Sequence, residues 1–177
     1  MKKTVLVYGA IAGVIVSAMM AYSVAHCSAT NDFTGGMIYG YAMMLIAFSM
    51  IFVGVKTFRD KQNGGVIGFW KAARIGFLIA LIASTIYVAI WLFESHYFYP
   101  DFMDKYSAAM IEKIKASGAT AAKIAEETAS MEKMKEMYKN PLVKIIMTYA
   151  EILPVGILIT LISALVLKRK TPKQAAA

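Results

Sequence analysis

Apolar residues fall into four long blocks along the chain, at 4–25, 37–55, 72–93 and 145–167. Basic residues stand at the edges of these blocks, and one acid, Glu151, lies near the start of the fourth. A helix needs about 20 largely apolar residues to cross a hydrocarbon core of about 30 Å. The pattern therefore predicts an all-α integral membrane protein with four transmembrane helices in a single membrane domain.

The segment 97–141 has a different pattern, in which apolar residues recur at helical spacing between charged ones. Asp101 and Thr120 are suitable N-caps, Gly118 suits the end of a helix, and the "KNP" stretch ends a second one. The apolar positions of the two predicted helices are Phe102, Tyr106, Met110 and Ile114, then Ile124, Met131, Met134 and Tyr138. We predict an extracytoplasmic amphipathic hairpin whose apolar faces cover each other, the membrane surface or another copy of the protein.

Small residues recur every four positions along the predicted spans. Such a stripe lets a neighbouring helix backbone come close, which favours packing where lipid removes the hydrophobic incentive. The stripes predict a tightly packed bundle or a dimer. The predicted packing positions are Gly9, Gly13, Ser17, Gly36, Gly40, Gly68, Ala72, Gly76, Ala80 and Gly156.

The chain is 59% hydrophobic and 17% charged, with a net charge of +8, and the basic residues are unevenly distributed. The span flanks on the side of both termini hold eleven Lys and Arg against one acid, whereas 97–141 holds seven Lys and seven acids. Basic residues accumulate on cytoplasmic flanks, so both termini are predicted to be cytoplasmic, in a bacterial inner membrane. Expected partners are membrane lipid and a second copy or another membrane protein, and nucleic acid is not expected. The apolar run after Lys3 exceeds the core of a signal peptide, so we expect the first span to be retained.

The stretch "GGVIGFWKAAR" at 64–74 places glycines before a lysine, as phosphate-binding loops do. A P-loop needs G-x-x-x-x-G-K-[ST] between a strand and a helix. Neither the spacing nor the flanking membrane spans match that motif. We interpret "QNGG" as a turn between two spans, because Asn and Gly tolerate positive φ.

Four ionisable residues are predicted near one end of the spans: His26, Glu94, His96 and Glu151. Ionisable groups in a membrane are costly and suggest function. Two His and two Glu could ligate zinc or pass protons. The alternative is that Glu94 and His96 are ordinary interfacial residues and that Glu151 pairs with Lys144, on the same helix face.

Two further patterns have both functional and structural explanations. Met131, Met134 and Met137 in "MEKMKEM" offer soft ligands for Cu(I), but Met is also an adaptable filler of contact faces. The aromatic residues of "HYFYPDF", such as Tyr97 and Tyr99, suit a membrane interface, and a groove for a lipid or acyl chain is the alternative. The sequence shows no nucleophile paired with a base, so we predict no catalytic residue and no cofactor.

Several stretches together resemble one bacterial membrane family. They include "GYAMMLIAFSMIFVGVKTFRDKQNGGVIGFWKAARIGFLIALIASTIYV", "YPDFMDKY", "KASGA", "EMYKNPL" and "PVGILITLISALVLKRK". The chain resembles the family called domain of unknown function 4199 (DUF4199) over nearly its whole length, more firmly from Gly40 onward. The resemblance implies a four-helix membrane protein of bacteria with an envelope, and it supplies no catalytic motif.

Three function hypotheses follow from these observations. The first is a non-catalytic scaffold or accessory subunit that self-associates through its stripes and binds partners through the hairpin. The second is a small transporter or ion-coupled carrier that uses Glu151 and Glu94. The third is a membrane enzyme, or a metal-handling or lipid-handling membrane protein, with its site at His26, Glu94, His96 and Glu151.

Overall fold

The computed structural model describes residues 1–30, 33 and 36–171, and this part of the chain contains six α-helices. They are α1 Lys2–Thr30, α2 Gly36–Gln62, α3 Phe69–Tyr97, α4 Phe102–Ala116, α5 Ala121–Tyr138 and α6 Pro141–Leu167. Four of them, α1, α2, α3 and α6, are long and apolar enough to cross a membrane. The predicted fold class is confirmed: the protein is all-α, with four such helices and a helical hairpin between the third and the fourth.

The fourth long helix begins before the apolar block that predicted it. The Asn140 side chain accepts a hydrogen bond from the backbone N of Leu142 at 2.9 Å, which caps α6. Pro141 takes the first helical position, where a missing N–H costs nothing. The "KNP" stretch therefore ends α5, as predicted, and also starts α6.

Helices α1, α2, α3 and α6 form a four-helix bundle in which α2 and α3 each contact the other three. Its centre is filled by large buried side chains: Phe48, Ile51, Ile75, Ile79 and Ile152. Apolar side chains on the outside stay exposed, among them Val14 at 61% and Val166 at 65%. Helices that are apolar all round are typical of membrane spans, and these outer side chains are suited to contact lipid.

A groove of glycines in α1 brings that helix close to α3. A Cβ atom built on Gly9 would lie 2.8 Å from the Cβ of Ile82, and one built on Gly13 would lie 2.9 Å from the Cβ of Ile86. Gly9 and Gly13 are four residues apart on α1, and Ile82 and Ile86 are four residues apart on α3. Successive turns of α3 therefore enter successive gaps on α1. The stripe of the first span therefore packs against a helix of the same chain.

The small residues of α3 and α6 also face each other. A Cβ atom on Gly76 would lie 2.8 Å from Cγ2 of Thr160 and 3.0 Å from Cγ2 of Ile51. A Cβ atom on Gly156 would lie 2.9 Å from the Cβ of Ala80. Small residues of α3 and α6 thus face each other, and the large side chains of Ile51 and Phe48 from α2 pack against the glycines.

The remaining predicted packing positions behave differently from one another. Ser17 and Ala72 are buried, in agreement with the prediction. Gly40 and Gly68 have no atom within 4 Å of a built Cβ, so neither packs closely against another helix of its own chain. Their role in a dimer stays a prediction. Gly36 is the first residue of α2, and its surroundings lie outside the described residues.

The termini end of the bundle, where α1 begins and α6 ends, contains the predicted turn. Gly64 and Gly65 have φ angles of 62° and 76°, and the N–H of Gly65 donates to the carbonyl of Arg59 at 2.9 Å, which closes α2. Ile67 and Arg169 exchange backbone hydrogen bonds of 3.0 and 2.8 Å. The turn prediction is confirmed, and the loop after the turn is tied to the end of α6.

Helices α4 and α5 contact each other and form the predicted hairpin. Gly118 adopts a φ of 74° after α4, and the Thr120 hydroxyl accepts a hydrogen bond from the N of Lys123 at 3.3 Å. Both residues therefore act as predicted. An ion pair of 2.5 Å between Lys135 and Asp104 links the two helices.

Asp101 occupies the N-cap position of α4, as predicted. Its carboxylate makes no capping hydrogen bond and lies 2.8 Å from the Nζ of Lys105. The hydrogen bond from Lys105 lowers the pKa of the Asp101 carboxyl group. The first turn of α4 is therefore supported by an ion pair instead of a cap.

Candidate functional site

A cavity of about 590 Å³ lies between the long helices at the hairpin end of the bundle, where α1 ends and α6 begins. We call it the hairpin-end cavity. All six helices contribute to its wall. The sulfur-containing residues of the wall are Met19, Met20, Cys27, Met43, Met44 and Met110 among those that the structure describes. Because thioether side chains are flexible and adaptable, this wall suits apolar molecules of variable shape.

Aromatic side chains form much of the rest of the cavity wall. They are Phe33, Tyr41, Tyr87, Trp91, Phe102, Tyr106 and Tyr138. The ring of Phe102, in α4, lies 4.9 Å from that of Trp91 and 5.8 Å from that of Phe33, each in an edge-to-face arrangement. The apolar face predicted for α4 therefore closes the cavity, so it covers the bundle of its own chain.

Tyr138, the last residue of α5, fastens the hairpin to the bundle. The Trp91 Nε1–H donates to the Tyr138 hydroxyl oxygen at 2.6 Å, and the Lys144 Nζ lies 5.0 Å from the centre of the Tyr138 ring. Burial raises the pKa of the Tyr138 phenol, so the group stays neutral at ordinary pH. Closure of the hairpin thus includes a directional hydrogen bond from α3 to α5.

Glu151 forms the part of the cavity wall that α6 supplies, together with Thr148. The residue is exposed, and it borders the cavity. The predicted pair with Lys144 does not form, since the Lys144 Nζ donates to the Ser95 hydroxyl at 3.2 Å. Within the described part of the chain, Glu151 has no hydrogen-bond or ion-pair partner. An unpaired carboxylate in apolar surroundings is costly, which makes Glu151 the strongest candidate for function.

Glu94 lies in the last turns of α3 and does not line the cavity. One of its carboxylate oxygens, Oε2, is buried and has no hydrogen-bond partner among the described residues. The two acids predicted for a carrier therefore lie on different helices, α3 and α6, and of the two Glu151 borders the cavity.

The two histidines are separate from this arrangement. His26 is exposed and stacks on Tyr22, with ring centres 6.2 Å apart. His96 is also exposed and lies edge-to-face with Tyr97, with ring centres 4.7 Å apart. Across residues 1–30, 33 and 36–171, no three His, Cys, Asp or Glu side chains form a group that could hold a metal. The four residues considered for zinc are thus not brought together as a set.

The methionines considered for copper lie on α5, away from the cavity wall. Met131 and Met134 are half-buried, and Met137 is 47% exposed.

Lys113 of α4 lines the cavity, and it is the second charged residue of the described wall besides Glu151.

Sequence reasoning missed most of the cavity wall, because residues inside an apolar block resemble one another. Tyr87 carried the clearest signal, since it places a hydroxyl group within a predicted span. Gly54 was missed as a packing residue: a Cβ there would lie 2.7 Å from Cδ1 of Ile79 and 3.1 Å from the Cβ of Tyr8. Its neighbours four positions away are the large residues Met50 and Phe58, so no stripe marks it.

Comparison with known proteins identifies the family of the chain. No curated protein and no solved structure matches it. The model of DUF4199, a family described as a protein of unknown function, matches residues 7–169. That match covers most of the 177 residues, so this membrane protein belongs to the DUF4199 family.

Proposed function

We propose that this protein binds an amphiphilic molecule in the hairpin-end cavity. The observation that carries the proposal is that the apolar face of α4 closes a cavity of about 590 Å³ whose wall is largely apolar. Sites for small molecules typically measure about 300–1,000 Å³ and combine apolar walls with a few polar groups. Here the polar groups of the wall include Glu151, Lys113 and the Tyr138 hydroxyl.

The start of α2 offers a route between the cavity and the lipid. Ile38 and Tyr41 line the cavity and yet are 77% and 45% exposed. The first buried side chain of α2 within the described residues is Met44. Among the described residues, the part of the wall that Ile38 and Tyr41 form is therefore exposed on the outside of the bundle, and we infer that a molecule dissolved in the membrane enters the cavity there.

The fluorescence of Trp91 provides a direct test. The chain has two tryptophans, and Trp70 is 82% exposed at the termini end. In a Trp70→Phe background, Trp91 is the remaining tryptophan, 5% exposed on the cavity wall. We expect a chain-brominated monoacylglycerol to quench it saturably in detergent micelles, because the brominated chain enters the cavity.

A pair of glycine substitutions supplies the control. Gly40 lines the cavity and Gly68 does not, and a Cβ built on either meets no atom within 4 Å. We expect Gly40→Phe to fill the cavity and weaken quenching at least about tenfold, and Gly68→Phe to leave it unchanged. Quenching that does not saturate, or that is equal in both variants, would contradict amphiphile binding in this cavity.

An accessory-subunit role is a separate proposal, in which the hairpin contacts a partner protein. It is supported by α5, which has no buried residue in the described chain. Gly9, Gly13, Gly76 and Gly156 contact helices of their own chain, whereas a Cβ built on Gly40 or Gly68 meets no atom within 4 Å, so these two glycines remain the candidates for self-association. Copurification from native membranes distinguishes the accessory-subunit role from amphiphile binding. A stable complex with another protein favours the subunit role, and a particle of this chain with a bound small molecule favours amphiphile binding.

Glu151 also supports an ion-coupled carrier as a runner-up, because its carboxyl group borders the cavity without a partner among the described residues. A carrier of this kind loses flux in Glu151→Gln while its fold stays intact. Flux of a cationic probe in reconstituted vesicles is the measurement, and equal flux with and without the substitution contradicts the carrier.

We further propose that both termini face the cytoplasm of a bacterial inner membrane, which places the hairpin outside. Lys56, Lys71, Arg74 and Lys168 flank the spans at the termini end, and the basic excess of the chain lies there. Such an excess is typical of cytoplasmic flanks.

A further inference from the structure

We propose that the bound amphiphile carries a cationic head group and that Glu151 is its counter-ion. This inference rests on the proposed function and names the class of ligand. The cavity has three features on which the inference rests: an unpaired carboxylate, aromatic side chains in the same wall, and the placement of Lys113, the other charged residue of the described wall, on a different helix.

The first feature is the missing partner of Glu151. Its carboxyl group borders the cavity, and the described residues offer it neither a hydrogen bond nor an ion pair. The nearest candidate along its own helix, Lys144, is engaged by the Ser95 hydroxyl and the Tyr138 ring. An isolated carboxylate in apolar surroundings is strongly disfavoured. A bound cation would supply the positive charge that no described residue provides to Glu151.

The second feature is the aromatic lining near that carboxylate. Tyr87 and Trp91 lie one turn apart on α3 and both line the cavity, as does Tyr138. Glu151 lines the same cavity. Aromatic faces attract cations within about 6 Å of the ring centre, and this is how quaternary ammonium groups are recognised.

The third feature is the location of the other charge in the wall. Lys113 belongs to α4, which closes the cavity from the hairpin side. Glu151 belongs to α6, a long helix of the bundle. An anionic ligand would need Lys113 as its partner, so a substitution at each residue distinguishes a cationic from an anionic head group.

The test compares three chain-brominated probes of equal chain length in the Trp70→Phe background. They carry a neutral glycerol, a cationic trimethylammonium or an anionic sulfate head group. We expect the cationic probe to quench Trp91 at about one tenth of the concentration that the neutral probe needs, which corresponds to a tenfold difference in affinity. Glu151→Gln should abolish that preference, so that the cationic and the neutral probe quench Trp91 at similar concentrations.

Two variants serve as controls. Glu94→Gln removes a carboxylate that lies outside the cavity wall, and it should keep the preference for the cationic probe. Lys113→Gln should also keep it. The melting temperature of each variant in detergent identifies a change in binding that arises from a loss of fold.

The outcomes separate the two proposals. If the neutral probe binds saturably but the preference for the cation is absent, or survives Glu151→Gln, the counter-ion role is wrong and amphiphile binding stands. Tighter binding of the anionic probe that depends on Lys113 overturns the cationic head group in the same way. If none of the three probes quenches Trp91 saturably, both proposals fall.

Discussion

Replacing Gly13 by Ala tests whether the contact between α1 and α3 governs the stability of the bundle. The new methyl group would lie 2.7 Å from Cδ1 of Ile86 and 2.9 Å from its Cβ. Carbon atoms in contact are normally about 3.5–4.0 Å apart. A rotation of the Ile86 side chain moves the Cδ1 atom but leaves the Cβ in place, so the two helices must separate by about 0.6 Å.

Two opposing terms set the size of the effect. Overpacking a tight interface costs about 1–3 kcal/mol, whereas replacing Gly by Ala inside a helix gains up to about 1 kcal/mol. Gly40→Ala is the matched control, because Gly40 is also inside a helix and a Cβ there meets no atom within 4 Å. The difference in unfolding free energy between the two variants is therefore the overpacking cost alone, about 1–3 kcal/mol.

The assay is unfolding in mixed micelles of increasing SDS content, followed by the loss of helical circular dichroism. Gly9→Ala should behave as Gly13→Ala does, since its methyl group would lie 2.8 Å from the Cβ of Ile82. The double variant should cost less than the sum of the single ones, because one separation of α1 from α3 relieves both contacts. Equal stability of Gly13→Ala and Gly40→Ala, within about 0.5 kcal/mol, would refute the reasoning.

Two further predictions concern the hairpin and the topology. Tyr138→Phe removes the acceptor of the Trp91 indole N–H. We expect this to lower the free energy that holds the hairpin closed by about 1 kcal/mol. The rate of limited proteolysis within α4 and α5 should then rise about fivefold. Tyr97→Phe is the control, because that side chain is 67% exposed and its loss should not change the rate. An unchanged rate in Tyr138→Phe would show that the hydrogen bond does not hold the hairpin closed. The topology is tested with fusions to the C-terminus. A fluorescent protein fused there should fold and fluoresce, and an alkaline phosphatase fused there should be inactive. An active phosphatase together with a dark fluorescent protein contradicts cytoplasmic termini.

Local chemistry was sufficient to predict most of the architecture. The four apolar blocks predicted four long helices, since only a helix satisfies its backbone within a single apolar segment. Gly64 and Gly118 predicted their turns because positive φ is accessible to glycine without strain. The fourth apolar block begins at Ile145, but α6 begins at Pro141, because Asn140 caps the helix before the apolar residues start.

The small residues show where prediction from sequence stops. Spacing of four residues identified Gly13 and Gly76 correctly, but it also selected Gly40 and Gly68, which have no atom within 4 Å of a built Cβ. Gly54, which has no small neighbours at that spacing, packs tightly. A glycine is necessary for close approach but does not cause it, because the helix that faces each glycine is set by the arrangement of the whole bundle.

The sequence by itself determined the class of the protein, its helices, its turns and the presence of an ionisable residue, Glu151, in a span. Only the tertiary structure decided that Lys144 turns to Ser95 and that Glu151 instead borders a cavity closed by α4. Periodicity specifies which residues share a face of one helix. A cavity is bounded by the faces of several helices, so its shape and its unpaired carboxylate depend on contacts between residues that are far apart in sequence.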